Sequence, residues 1–275
     1  MKSIALLVPD SRGLPDDALR ILCDEIHRTG GIMLAPIRVP SAALLPQVLE
    51  NTRGALAWAP ASIAYTLGRM QLATPIVAAS RRRGRRRSAL LVTRPDVGGL
   101  AHLAGRRVGW VSRLSTAGYE VPRLYLESFG VEISGLFAAQ RFFGTHESVV
   151  AALVGREVDV VATHSGWLSE LFARASVRVI ASIGPLPDDV IVAGTAVPLE
   201  AQKQCARAFP RTSAGAFTFS AARAGHFGLF DLLRSQASHL REPTRDQNAP
   251  RQVEAGLLQS RCWPHEHVTR RPGRP

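Results

Sequence analysis

The stretch VGWVSRLSTAGYEVPRLYLESFG, residues 108–130, decides the fold, because it reads as a strand, a short polar turn and a helix in succession. The helix half ends at Gly130, and glycine is common just after the last helical residue. Ser115, Thr116, Ala117 and Gly118 stand at the junction. We predict that this turn opens a helix whose first N–H groups lack intrahelical partners and carry partial positive charge.

The residue types of this turn suit an oxyanion such as phosphate. The hydroxyls of Ser115 and Thr116 can cap the helix or donate to an anion, while Ala117 and Gly118 let a ligand approach the backbone. From these residues alone, an ordinary helix cap and an anion site both remain open.

The same alternation of strand and helix continues on both sides. It predicts an α/β fold with mainly parallel sheets, and its two series predict two lobes. We place the first lobe at residues 1–90 and 190–230 and the second lobe at residues 91–189. Breaker-rich and charged segments predict an irregular or disordered tail at residues 231–275.

Two further turns carry candidate ligand groups. FFGTHESVVAAL, residues 142–153, is a second strand–turn–helix, and His146 at its turn can donate to an anion. SIGPLPDDVIVAG, residues 182–194, places Asp188 and Asp189 just before a strand. In a two-lobe fold all three turns can face one cleft, although capping and solvated roles remain alternatives.

In this order, three segments resemble the substrate-binding proteins of phosphate, phosphite and phosphonate ABC transporters, the PhnD-like family. They are residues 103–126, 142–163 and 184–194, and GALAWAPASIAY at residues 54–65 matches more loosely. The resemblance implies a type II periplasmic-binding-protein fold whose two lobes are joined by two crossing strands. SALLVTR (88–94) and DVIVAGT (189–195) are the expected crossings.

The resemblance also implies the roles of single residues. Ser115 and Thr116 would bind the anion through their hydroxyls and adjoining N–H groups, while Ala117 offers only its N–H where the family often has a third hydroxyl. His146 would complete the anion shell, and Asp189 would face the rest of the ligand, often its amino end. Asp188 replaces a common asparagine, and the family's first-lobe tyrosines are replaced near Ser41, Ala42, Ala43 and Ser88, with Tyr65 out of register.

The implied function is that of a solute-binding protein for a small phosphorus oxyanion, linked to ABC-type uptake. The expected partners are the anion and a transporter permease, with a monomeric protein and no cofactor or metal. The sequence has no G-x-S-x-G elbow, and GTHES (144–148) and THSGW (163–167) lack an acid partner, so we expect no catalytic residue. A cytoplasmic enzyme acting on a small carboxylate or cofactor precursor, or an anion sensor, remain the alternatives on the same fold.

The net charge of +12 does not predict a nucleic-acid partner, because it is concentrated at two places. RRRGRRR, residues 81–87, supplies six positive charges, and residues 207–275 hold eleven arginines against five acids, so the rest of the chain is neutral. We interpret RRRGRRR as a solvated or disordered loop. Cys262, His265 and His267 lack a second ligand pair for a metal.

Two remaining features concern burial and location. Cys23 is expected to be a buried thiol, and Trp58, Trp110 and Trp167 are expected to be packing residues. The start MKSIALLVPDSRG lacks an apolar region of secretory length, which predicts a cytoplasmic protein if the sequence is taken literally. A truncated start would instead allow a periplasmic one.

Overall fold

The computed structural model describes residues 3–10, 13–81 and 87–241 of the 275-residue chain. Its strands form two sheets, one of seven strands and one of five. We call the first sheet with its helices the first lobe, and the second sheet with its helices the second lobe. The expected two-lobe α/β architecture is confirmed.

The first part of the first lobe alternates strands and helices as the apolar periodicity predicts. Its elements are β1 (Ile4–Pro9), α1 (Asp16–Gly30), β2 (Leu34–Val39), α2 (Leu45–Asn51), β3 (Leu56–Ala59), α3 (Ala61–Arg69) and β4 (Ala73–Arg81).

The second lobe follows along the chain, and its helices lie against the faces of the five-stranded sheet. Its elements are β5 (Ala89–Thr93), β6 (Arg107–Trp110), α4 (Val121–Glu127), α5 (Ile133–Leu136), β7 (Ala139–Phe142), α6 (His146–Val154), β8 (Val160–His164), α7 (Leu168–Arg174) and β9 (Arg178–Ile183). A π-helical turn at Thr116–Glu120 leads directly into α4.

The chain then returns to the first sheet. The returning elements are β10 (Asp189–Gly194), α8 (Leu199–Ala208), β11 (Ser213–Ala214), β12 (Phe217–Ala221) and α9 (Gly228–Arg241). The tail expected at residues 231–275 therefore begins as a helix, because Phe230 and Leu233 are buried in the apolar cluster of the second lobe. Residues 242–275, including Cys262, His265 and His267, lie outside the described residues.

The sheets are mixed, not mainly parallel. The first has the order β11-β12-β4-β10-β3-β1-β2 and the second the order β7-β6-β8-β5-β9. Parallel pairing joins β1 to β2 and β3, and β6 to β7 and β8, whereas every other pair is antiparallel. Four of these six antiparallel pairs involve β5 or β10, the strands that follow the two crossings and run against their neighbours. The other two are the β11–β12 pair and the pairing of β12 with β4.

The crossings themselves are short. The chain leaves the first sheet at Arg81 and enters the second at Ala89, and it returns between Ile183 and Asp189. The segments SALLVTR and DVIVAGT, expected to be the crossing strands, thus each lie within a single sheet. Because Ala89 of β5 pairs with Ile183 of β9, the outgoing and returning crossings lie at neighbouring positions between the lobes.

Each sheet carries apolar clusters on its faces. Trp58 lies in a cluster of the first lobe and Trp110 in one of the second, and both are fully buried as packing residues. Cys23 is buried as expected, and burial together with nearby Asp24 raises its pKa to about 11.

Candidate functional site

One edge of the second sheet collects the predicted anion-binding turns. Because β6, β7 and β8 are parallel, their carboxyl ends meet at the same edge, where ligands bind in open α/β sheets. The polar turn follows β6, His146 begins the helix after β7, and His164 ends β8. β5 lies antiparallel beside β8, and its first residue, Ala89, pairs with His164. The residues just before β5 therefore lie at the same edge of the sheet.

The facing edge of the first sheet carries the remaining candidates. α3 begins two residues after the carboxyl end of β3, and Val190 of β10 pairs with Ala59 of β3. Asp189, one residue before Val190, therefore lies at this carboxyl edge. Both crossings join these two edges, and each predicted ligand residue lies at one or the other of them.

The polar turn is closely packed around its glycine. Ser115 Oγ accepts a hydrogen bond from the Gly118 N–H at 3.0 Å, which is the expected helix cap. A Cβ at Gly118 would lie 2.3 Å from Cγ2 of Val111, so no larger residue fits without movement. The Ser115 hydroxyl still has its proton to donate, since the oxygen acts only as acceptor in this bond.

The hydroxyl of Thr116 is engaged by the first lobe instead of being left to a ligand. It donates to Ser62 Oγ at 3.0 Å and accepts from the Ser62 N–H at 3.1 Å. Ser62 Oγ in turn donates to the Leu114 carbonyl at 2.7 Å. In this structure the Thr116 hydroxyl, which was expected to contact the anion, forms an interlobe contact with the start of α3.

His146 is half-buried at the start of α6. Its Nδ1 lies 3.0 Å from Oγ1 of Thr163, a side chain with no exposed surface. Desolvation, followed by the charge of Arg87, lowers the pKa of His146 to about 4, so the imidazole is neutral at physiological pH.

The sequence reasoning missed two neighbours of His146. The His164 ring lies against the His146 ring with centroids 4.5 Å apart, and Arg87 Nη1 is 3.5 Å from His164 Nε2. His164 lies in THSGW, which the sequence suggested only as part of a possible hydrolase site. Arg87 is the last residue of the arginine run. Residues 82–86 of that run lie outside the described residues, so its interpretation as a solvated loop stays a prediction for them.

The acidic pair lies at the returning crossing. Ser80 Oγ donates to Asp188 Oδ2 at 2.7 Å, and His226 Nε2 lies 3.0 Å from the Asp188 carbonyl oxygen. Asp188 is therefore held by the first lobe. Asp189 is half-buried at the start of β10, opposite Ala79 of β4.

Ser41, near an expected tyrosine position, and the out-of-register Tyr65 both have structural roles. Ser41 Oγ accepts from the Ala43 N–H at 3.2 Å and caps a short 3₁₀ helix. Tyr65 is 6% exposed, stacks on Phe230 at 4.8 Å and donates to Asp231 at 2.9 Å. Tyr65 is thus part of the packing between α3 and α9.

A surface pocket of about 530 Å³ lies elsewhere in the second lobe, lined in part by Tyr119, Arg123 and Gln140. Two guanidiniums line it: Arg123 contacts Glu120 at 2.9 Å and Glu127 at 2.6 Å, and Arg113 lies over the Phe142 ring at 5.0 Å. None of the residues that line this pocket is a predicted ligand residue, and the candidate site is therefore the pair of facing sheet edges. Among the helices that the structure describes, none is both long and apolar enough to cross a membrane.

Several solved structures share this fold. The XAC2383 protein from Xanthomonas citri bound to ATP superposes with a TM-score of 0.72 at 18% identity, covering 88% of this chain and 98% of that one. A binding protein component of the ABC phosphonate transporter (PA3383) from Pseudomonas aeruginosa gives a TM-score of 0.63 at 16% identity, covering 86% and 87%. PhnD1 from Prochlorococcus marinus in complex with methylphosphonate gives 0.62 at 16% identity, covering 87% and 98%.

At these identities the structures establish the fold, and family membership comes from the sequence. No curated protein sequence matches the chain. The family model described as "ABC transporter, phosphonate, periplasmic substrate-binding protein" matches residues 21–223, which include both sheet edges of the cleft. This family consists of transporter binding proteins and not of enzymes. The chain therefore belongs to the periplasmic substrate-binding proteins of phosphonate ABC transporters.

Proposed function

We propose that this protein binds a small phosphorus oxyanion, phosphate, phosphite or a phosphonate, and presents it to an ABC transporter permease. The observation that carries the proposal is the convergence of the 115–118 turn, His146 and Asp189 on the facing edges of the two sheets. Small anions are bound in proteins by fixed N–H and O–H donors at such helix starts.

The donors of the second lobe have separate roles in this proposal. The Ser115 hydroxyl and the N–H groups of Thr116 and Ala117 hold the anion, and Gly118 keeps the turn tight enough for them to converge. His146 adds a side-chain donor, and Asp189 faces the organic end of the ligand. The Thr116 hydroxyl holds the lobes together through Ser62, which supports binding by closure of the lobes.

The place of action and the assembly state belong to the same proposal. The family description supports a role in the periplasm, whereas the expectation of a cytoplasmic protein rests on the first residues alone. We propose that the protein acts as a monomer, with the permease as its macromolecular partner.

Thermal unfolding with added anions tests the proposal. A ligand that binds only the folded state stabilises it by about 2.7 kcal/mol when its concentration is roughly 100 times Kd. We expect phosphate, phosphite or methylphosphonate to raise the Tm, and Ser115→Ala to reduce that rise. Ser134→Ala is the matched control, because Ser134 is exposed and bonds only to Glu132 among the contacts described. No rise with any of the three anions at about 10 mM would refute the proposed function.

A further inference from the structure

Two imidazoles and a guanidinium meet beside the candidate anion site. His146 begins α6, His164 ends β8, and Arg87 precedes β5, so three separate segments bring them to one edge of the sheet. The two rings contact edge to face at 4.5 Å between centroids. Arg87 Nη1 lies 3.5 Å from His164 Nε2.

The hydrogen bonds fix the proton on His164. The Gly166 N–H donates to Nδ1 at 3.0 Å, so Nδ1 acts as an acceptor and carries no hydrogen. Desolvation, then the charges of His146, Arg87 and Arg81, lower the pKa of His164 to about 3. The ring is therefore neutral at physiological pH, and its single proton resides on Nε2.

The same reasoning applies to His146. The Thr163 hydroxyl is fully buried, and among the described residues its one recorded partner is His146 Nδ1 at 3.0 Å. A buried O–H group that has one acceptor within reach donates to it. Nδ1 of His146 is then unprotonated, and its Nε2 also carries the ring proton.

Arg87 and His164 therefore present two donors to each other. A guanidinium has no acceptor, so Nη1 and Nε2–H cannot form a hydrogen bond between themselves at 3.5 Å. Within the described residues Arg87 also forms no salt bridge with a carboxylate. Arg87 is exposed, and an acceptor lying between the two groups, whether water or an anion oxygen, can accept from both.

We propose that Arg87, His146 and His164 form a three-donor subsite for oxygens of a doubly charged phosphoryl group, which the protein binds in preference to a singly charged sulfonate. The inference rests on the proposed function. It adds Arg87 and His164 to the site and adds a preference for a doubly charged ligand. Two neutral N–H donors serve either anion, but the guanidinium adds a full charge that favours the dianion. A cationic ligand group is disfavoured at this point for the same reason.

Calorimetric titration with methylphosphonate and methanesulfonate tests the subsite, since the two probes share a tetrahedral shape and differ in charge at about pH 8.5. We expect the wild-type protein to bind methylphosphonate at least about tenfold more tightly, which corresponds to about 1.4 kcal/mol. Arg87→Gln should remove most of this preference. His164→Asn should weaken methylphosphonate binding by about tenfold, whereas His164→Gln, which can return an N–H donor near the Nε2 position, should restore part of it.

Arg178→Gln is the matched control for the loss of charge. Arg178 pairs with Thr93 at the opposite end of β5, and its guanidinium donates to the Gly98 carbonyl at 3.0 Å. Its replacement should leave both affinities within about threefold.

The outcomes separate this inference from the proposed function. Unchanged methylphosphonate affinity in folded Arg87→Gln and His164→Asn proteins, alongside a loss in Ser115→Ala, would overturn the subsite and leave the proposed function standing. Equal affinity of the wild-type protein for both probes would overturn the charge preference. Binding of none of the phosphorus anions by the wild-type protein would overturn both.

Discussion

Asp159 is a residue outside the candidate site whose ionisation the fold controls. It lies just before β8, at the edge of the sheet opposite the cleft, and is 7% exposed. Its carboxylate accepts from the N–H and Nε of Arg107 at 2.9 and 3.1 Å and contacts Arg94 at 2.9 Å. These hydrogen bonds, chiefly those from Arg107, outweigh desolvation and lower the pKa of Asp159 to about 2.

The lowered pKa predicts acid-dependent stability. Because the folded protein binds the proton less readily than the unfolded chain, the carboxylate contributes about 2 kcal/mol above pH 4 or so and loses it as the pH falls towards about 2. We expect Asp159→Asn to lower the free energy of unfolding at neutral pH, with the gap to the wild-type protein closing at low pH. Urea unfolding at several pH values measures the gap, and a gap that is constant with pH would contradict the assignment.

Single residues also show what sequence reasoning can and cannot reach. Ser115 and His146 were identifiable because a hydroxyl or imidazole at a strand-to-helix turn is visible in a short window. The pairing of Arg87 with His164 was not, because 77 residues separate them and only the antiparallel register of β5 and β8 joins them. The role of the Thr116 hydroxyl was missed for the same reason, since Ser62 lies 54 residues away.

Among the elements, α3 and the π-helical turn are joined by hydrogen bonds that link the two lobes. Ser62 is 4% exposed, and both its N–H and its hydroxyl contact the turn region. A buried donor that loses its partner costs about 1–3 kcal/mol. The two hydroxyl residues should therefore contribute to stability as a coupled pair.

A double-mutant cycle tests this coupling. We expect Ser62→Ala and Thr116→Val to show an interaction energy of about 0.5–3 kcal/mol in urea unfolding. Thr52→Val is the control partner for Ser62→Ala, because the Thr52 hydroxyl is exposed and bonds within its own helix end. Its coupling should stay below about 0.5 kcal/mol, and an equally small value for Thr116 would mean that the interlobe contact does not form in solution.

Apolar periodicity predicted the existence and order of most elements up to β10, but it predicted neither the later elements nor the directions of the strands in the sheets. A run such as ALLVT in β5 is fully buried on both faces, so its composition resembles that of a parallel strand although it pairs antiparallel. α9 was missed because the predicted tail was judged by its charged and breaker-rich residues. The burial of Phe230 and Leu233 against the second lobe outweighs that composition.

At the scale of the whole molecule, apolar contacts unite the lobes. The second-lobe cluster includes Ala61 and Tyr65 of α3 and Phe230 of α9. Tyr65 stacks on Phe230 with an interplanar angle of 14° and donates to Asp231 of the same helix. Unfolding of one lobe would expose this shared surface, so the lobes should unfold together.

Two buried tryptophans report on this cooperativity, because Trp58 lies in the first lobe and Trp110 in the second. We expect variants that retain only one of the two, with phenylalanine at the other tryptophan positions, to show coincident urea transitions. Adding Phe230→Ala should lower both midpoints, since truncating a buried phenylalanine costs about 3–5 kcal/mol. Well-separated midpoints before that substitution would show that the lobes unfold independently.

The strand order has a consequence for the protein as it leaves the ribosome. The second sheet is built from one continuous stretch, β5 to β9, whereas β10, made afterwards, must insert between β3 and β4 in the first sheet. The first sheet therefore stays incomplete, with the inner edges of β3 and β4 unpaired, while about a hundred further residues are synthesised. At ordinary elongation rates this takes roughly 5–20 s. Exposed strand edges are sites of aggregation. During biosynthesis, a nascent-chain chaperone would be needed at the N-terminal third of this chain more than at its middle.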